Sequence, residues 1–285
     1  MRLRTLPLSL AGVVLGLLLA VKSFVASTWL IVFLLLTTVC LQILSNLSNE
    51  LGDYLSGTDG EQREGPMYSL AQGSISVKAF KVLIAVFVIL CCVFGAAMVY
   101  VSFGTFWAWQ PILLLLLGVA AIWAAMHYTL GKNPYGYKGL GDVFVFIFFG
   151  LVSVLGAYYV VAHTIDSWSL LLPAITIGCF SVGVLNVNNI RDIESDAVNR
   201  MTLPIKIGEL NAKIFQSVLV LLGWLCMLLY TLITFSSIWN FIYFVTLPLY
   251  LIHMNMVWKR NGKALDPALP LLVISTFVFA VLAGI

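Results

Sequence analysis

The chain has 285 residues, of which only 27 are charged: 15 Lys or Arg and 12 Asp or Glu. Charged residues make up 9% and hydrophobic ones 61%, with a mean hydropathy of +1.04, against about 25% charged in a soluble globular chain. This balance excludes a water-soluble globule, a disordered chain and a basic nucleic-acid binder, and it leaves a polytopic membrane protein.

A bilayer-spanning helix needs about 20 mostly apolar residues. The first candidate, 6–22, follows Arg2 and Arg4. It has no small-residue cleavage site ahead of a soluble domain, so it reads as a retained helix and not as a signal peptide. A second span covers 28–46 and runs into the long polar connection 47–79. Spans at 80–101 and 107–127 lead to a second polar stretch, 128–141. Spans at 142–162 and 168–187 lead to a third, 188–211, and spans at 212–235, 239–258 and 268–284 complete the set. The expected fold is all-α, a single transmembrane domain of nine helices over residues 1–285. The two longest and most carboxylate-rich connections follow the second and sixth spans, with 139 positions between Asp53 and Asp192. That spacing suggests two four-helix halves plus a ninth helix. Cys40, Cys91, Cys92, Cys179 and Cys226 all lie in apolar runs without C-x-x-C spacing, so they read as buried small side chains.

Charge placement is more informative than net charge. On alternating spans, 14 of the 15 Lys and Arg fall on one side, leaving only Lys22 opposite. By the positive-inside rule that side is cytoplasmic. The expected arrangement is a multi-pass protein of a bacterial cytoplasmic (inner) membrane, with its N-terminus cytoplasmic and its C-terminus outside. Eleven of the twelve acidic residues share the cytoplasmic side, with only Asp166 opposite. The rule makes no demand on carboxylates, so this bias needs a separate cause, and a cation site supplies one.

Two motifs hold the carboxylates. In the first, Asn46, Asn49, Glu50 and Asp53 recur at i, i+3, i+4 and i+7, which is one face of a helix if the second span continues. Gly57 then stops the helix and leaves Asp59 beyond it. In the second, Asn188, Asp192 and Asp196 fall at i, i+4 and i+8. Amide and carboxylate oxygens suit Mg²⁺ held together with substrate phosphates. Without His or Cys they do not suit zinc. Arg63, Lys132, Arg191 and Arg200 lie in or beside these clusters and can hold the remaining charge of a metal-bound diphosphate. No Ser/His/Asp set, Cys nucleophile or Gly-rich nucleotide loop is present, and His127, His163 and His253 are scattered. Tyr128 and Tyr135 lie nearby in sequence and offer aromatic faces.

At these residues the chain resembles the UbiA superfamily of intramembrane prenyltransferases. The resemblance rests on Arg4-Thr-Leu-Pro-Leu, the Asn49–Asp59 stretch, Arg63-Glu-Gly-Pro66, Tyr128–Asp142 and Asn188–Asp196. The Tyr128–Asp142 block points to the branch that prenylates 1,4-dihydroxy-2-naphthoate. The resemblance implies a nine-helix bundle around a central cavity and transfer of a polyprenyl group from its diphosphate to that acceptor. The implied products are demethylmenaquinone, diphosphate and CO₂. It further implies that Asn49, Asp53, Asp59, Asn188, Asp192 and Asp196 bind Mg²⁺. Arg63, Lys132, Arg191 and Arg200 would hold the diphosphate with Asn49 and Asn188, and Tyr128 would lie near the allylic carbon. Asp53, Asp192, Asp196, Tyr128 and Lys132 are the catalytic candidates. The sequence departs from the family pattern at Glu50, where Asp is usual, and at Asn199-Arg200, where Gly-Lys is usual. Other aromatic acceptors such as 4-hydroxybenzoate remain open, as do the prenyl chain length and the oligomeric state. From a different class, a cation-coupled transporter would also place carboxylates in a helical bundle.

Overall fold

The computed structural model describes residues 3–57, 70, 73, 75–197 and 200–285. Nine long apolar helices and no strand occur among them. They are α1 (Leu6–Val21), α2 (Thr28–Leu55), α3 (Val77–Phe103), α4 (Trp109–His127), α5 (Gly141–Ala162), α6 (Trp168–Arg191), α7 (Glu209–Ile233), α8 (Ile238–Lys259) and α9 (Gly262–Gly284). All but α1 have the length and hydropathy to cross a bilayer. Helix starts follow local chemistry. Ser27 accepts the Leu30 N–H at 3.2 Å and Ser76 accepts the Ala79 N–H at 3.2 Å, each satisfying an orphan donor of the first turn.

Two helices run four or more residues past their expected ends, and the extensions carry Asn49, Asp53 and Asn188. α2 continues nine residues beyond 46 to Leu55, and Gly57 then turns the chain at φ +73°, a conformation that favours glycine. α6 continues to Arg191. At the same end α1 starts at Leu6, as expected. Thr5 receives a hydrogen bond from Gln42 at 2.8 Å, so α1 begins level with Gln42. Asp53 lies eleven residues further along α2, roughly 16 Å at 1.5 Å per residue. α1 therefore stops short of the polar end of the bundle.

α6 is the axis of the fold: 83% of its apolar window is buried, against 11% for α4 and 17% for α3. A large cluster joins α1, α5, α6, α7, α8, α9 and the first turns of α2, with Phe180, Tyr243, Tyr250 and Phe279 at its centre. A second cluster joins α2 and α3 through Cys40, Leu44, Phe80 and Ile84, with residues of α4 against it. The clusters cut across chain order, since α1 joins the later helices. Exposed Val86, Ile89, Leu113 and Leu116 give α3 and α4 the lipid-facing surface of a multi-pass membrane protein.

At the end opposite the motifs, Trp29, Trp107, Trp109, Trp168 and Trp239 lie at or just before the starts of α2, α4, α6 and α8. Each is at least 67% exposed. Indole rings gathered at one level form the aromatic belt of a membrane interface. The charge-poor connections already marked that end, and the tryptophans now mark its depth.

Candidate active site

A cavity of about 350 Å³ opens between α1, α2, α4, α5 and α6. It is apolar along most of its depth and polar where Asn49, Asp53, Asn188, Asn189 and Arg200 face it. Both motifs thus reach one space from two helices that are far apart in sequence.

Within the first motif, Asn46, Asn49 and Asp53 line the cavity. Glu50 does not. It is 1% exposed and accepts the Leu70 N–H at 3.3 Å, so it ties a later segment to α2. The expected single polar face therefore narrows to three residues, because Glu50, one position past Asn49, is rotated by about 100°. Asp53 pairs with Arg200 and accepts a hydrogen bond from Tyr137 Oη at 3.1 Å.

Arg200 is the link between the motifs. Besides Asp53, its Nε lies 3.8 Å from Asp196, and its guanidinium sits 4.6 Å above the Tyr137 ring. Burial opposes the Arg200 charge, but Asp53 and then Asp196 overcome it and raise the pKa above the ordinary arginine value. One cation thus occupies the space between a carboxylate of each motif.

Within the second motif, Asn188 lines the cavity. Asp192 follows the last residue of α6 and is gripped by Arg191 on both oxygens, Nε at 2.8 Å and Nη2 at 2.6 Å. Arg191 also donates to Asn188 Oδ1 at 3.0 Å and to Asp266 at 2.6 Å. Four of its five N–H donors are used in this way. Arg191 is 7% exposed and is not part of the cavity wall. It holds motif residues, which differs from the diphosphate contact expected of it.

The Tyr128–Asp142 block closes the cavity beside α2. Thr129 donates to Ser48 O at 2.9 Å and to Asn49 Oδ1 at 3.3 Å. This approach needs Gly52, since a Cβ there would lie 2.5 Å from Thr129 Cβ. Tyr128 faces the cavity and meets Tyr135 edge-on at 5.4 Å, and Tyr135 stacks on Phe144 at 3.9 Å. Phe148 extends this aromatic wall along a π-helical stretch of α5, Phe146–Val152. Burial and the neighbouring Tyr128 raise the Tyr135 pKa, so its phenol stays neutral, and it donates to Ala124 O at 2.7 Å. Lys132 is exposed on the same connection and lies outside the cavity wall. Asp59 and Arg63 fall outside the described residues. Tyr137, Thr129, Phe144 and Asp266 are not among the candidates that the sequence motifs single out. The first three lay within or beside a block already marked as specific, whereas nothing near Asp266 signalled a partner.

Among the described residues no group of three or more His, Cys, Asp or Glu side chains gathers at one point to hold a metal. The available donors are amide and carboxylate oxygens from two helices. A guanidinium seated between Asp53 and Asp196 stands where positive charge is favoured. Such a donor set fits a hard divalent cation that completes its shell with water and phosphate.

The family model described as the UbiA prenyltransferase family matches residues 9–280. The chain belongs to this family. As a UbiA prenyltransferase it is similar to the 1,4-dihydroxy-2-naphthoate octaprenyltransferase of Escherichia coli (strain K12), 38% identical over 271 residues that cover 94% of this chain and 87% of that protein. The protein of the same name from Mycobacterium tuberculosis (strain ATCC 25618 / H37Rv) is 34% identical over 271 residues, covering 94% and 88%. The fold matches the apo structure of a UbiA homolog from Aeropyrum pernix K1 with a TM-score of 0.75 at 15% identity, over 98% of this chain and 96% of that one. A digeranylgeranylglyceryl phosphate synthase matches at 0.59 and 17% identity, over 98% and 97%.

Proposed function

We propose that this UbiA prenyltransferase transfers a polyprenyl group from polyprenyl diphosphate to 1,4-dihydroxy-2-naphthoate in menaquinone biosynthesis, and that it requires Mg²⁺. The observation that carries the reading is Arg200 joining Asp53 of the first motif to Asp196 of the second, at the polar end of a cavity walled by Tyr128. The acceptor follows the relatives named for it and the Tyr128–Asp142 block. The polar end lies on the cytoplasmic side of a bacterial inner membrane, with the N-terminus cytoplasmic and the C-terminus outside. The 14:1 cation count supports that orientation.

Asn49, Asp53, Asn188, Asp192 and Asp196 would hold the metal, with Asp59 beyond Gly57 as a further donor. Bound there, Mg²⁺ would neutralise the diphosphate and act as a Lewis acid on the leaving oxygen. Arg200 exchanges Asp53 for the diphosphate, and Arg63 adds a second cation. Lys132 acts from the exposed loop by attracting the anion. The allylic C–O bond breaks with its electron pair passing to diphosphate. The carbocation left behind lies against Tyr128, with Tyr135 and Phe144 behind it, and their ring faces stabilise it. The apolar wall keeps out the water that would otherwise capture it. An electron pair of the naphthoate ring forms the new C–C bond, and the carboxylate leaves as CO₂ with its bonding pair returning to the ring, so the immediate product is the hydroquinone form of demethylmenaquinone.

Membranes containing the protein, given labelled polyprenyl diphosphate and either 1,4-dihydroxy-2-naphthoate or 4-hydroxybenzoate, test the assignment. Labelled prenyl-naphthalene product formed with Mg²⁺ and lost with EDTA is expected. Product only from 4-hydroxybenzoate would overturn the acceptor. Wild-type turnover by Asp192→Ala at limiting Mg²⁺ would overturn the metal site.

A further inference from the structure

We infer that Asp266, at the start of α9, is a positioning residue for the metal–diphosphate site. Through Arg191 it fixes Asp192 and Asn188 and keeps local negative charge beside the cavity. The inference rests on the proposed function and adds a residue outside both motifs, 75 positions from the arginine it holds.

The geometry is closed at every link. Asp266 accepts from Arg191 Nη1 at 2.6 Å, and the same guanidinium grips both Asp192 oxygens and Asn188 Oδ1. Asp266 cannot shift freely to follow a moving arginine. Its neighbours Leu265 and Ala268 are fully buried against Val187 and Ile190 of α6 and Val257 of α8. The segment that carries Asp266 is therefore anchored to the helix whose end it organises. The simpler role, an acidic residue favoured near a helix start, does not explain its direction. The N-cap of the helical run that follows is Pro267, and the Asp266 carboxylate turns to Arg191.

The charge count gives the contact a function. Arg191 and Asp192 alone form a neutral pair, and a neutral pair has little attraction for a cation. With Asp266 sharing the guanidinium, the triad carries one net negative charge. Asp192 is then oriented by the arginine without being fully neutralised by it. Partners of this kind behind a metal ligand typically alter metal affinity by 10- to 100-fold when removed.

The test uses the full chain in nanodiscs and measures Mn²⁺ binding by electron paramagnetic resonance, with and without inorganic diphosphate. Asp266→Asn keeps an acceptor and removes the charge, and Asp266→Glu restores the charge. Asp266→Asn is expected to weaken Mn²⁺ binding roughly 10- to 100-fold, and to raise the Mg²⁺ concentration for half-maximal turnover in parallel. The KM for the aromatic acceptor should not move, and Asp266→Glu should recover most of the loss. Wild-type Mn²⁺ binding by Asp266→Asn would overturn the inference. Equal losses in both variants, matched by equal losses of thermal stability, would also overturn it, because the contact would then be structural only. If Asp192→Ala binds Mn²⁺ like the wild type, the metal reading beneath it fails instead.

Discussion

Replacing Arg200 by Met tests the bridge between the two motifs. The substitution keeps an apolar stem and removes the charge that Asp53 and Asp196 share. Their side chains are 1% and 7% exposed, so water cannot replace the lost partner. Breaking a buried ion pair by deleting one member costs about 3–5 kcal/mol. Tyr137 still donates to Asp53 at 3.1 Å, which places the expected cost at about 3 kcal/mol, the lower end of that range. In EDTA the variant should therefore unfold well below the wild type in a thermal scan. A divalent cation with inorganic diphosphate should then stabilise the variant more than the wild type, because the metal reaches two carboxylates that no guanidinium already holds. Turnover should fall as well. A charge-assisted hydrogen bond to the leaving group is worth about 1.5–3 kcal/mol, which is roughly 10- to 150-fold in kcat/KM. An equal stability deficit with and without metal, or an unchanged kcat/KM, would refute the bridge.

Three further outcomes follow from single contacts. Gly52→Ala places a Cβ 2.5 Å from Thr129, and overpacking of this kind costs about 1–3 kcal/mol. It should shift the Tyr128 connection away from Asn49 and raise the KM for prenyl diphosphate, and wild-type kinetics would count against the contact. Tyr128→Phe should retain most activity, whereas Tyr128→Leu removes a desolvated ring face worth about 2 kcal/mol, roughly 30-fold in kcat; equal effects of the two variants would show that the hydroxyl and not the ring matters. Lys132→Ala should raise the KM for prenyl diphosphate only at low salt and leave kcat unchanged, since an exposed charge acts at long range and is screened; a salt-independent fall in kcat would place Lys132 in direct contact with substrate.

The bundle was legible because twenty apolar residues in a row admit few structures, and each expected span corresponds to a helix. The motifs were legible because helical spacing alone places Asn49 and Asp53 on one face. The same periodicity misled at Glu50, where one residue of rotation turned a carboxylate from the cavity to the Leu70 backbone. Arg191 shows a related difficulty. Adjacent to Asp192 in sequence, it suggested a shared ligand, but α6 ends between them and their side chains meet each other instead of the same substrate. Tyr137 to Asp53 and Arg191 to Asp266 span 84 and 75 positions, and no local pattern encodes such pairs. They exist because helix packing brings the chain ends of α2, α6 and α9 to one level.

The scarcity of charge elsewhere gives these pairs a common logic. In the described part of the site, the carboxylates of Asp53, Asp192, Asp196 and Asp266 meet the guanidiniums of Arg191 and Arg200, leaving two net negative charges. A buried carboxylate with no partner is costly, so the arginines stabilise the fold while the cavity holds no substrate. They do not cancel the site's charge, and a bare diphosphate entering it would meet repulsion. A diphosphate carrying its own divalent cations would meet the opposite: Asp53 would hold the metal, and Arg200 would be free to turn to the phosphate oxygens. Under the proposed function, Arg200, which joins Asp53 to Asp196, would thus couple metal binding to diphosphate binding through a single side chain.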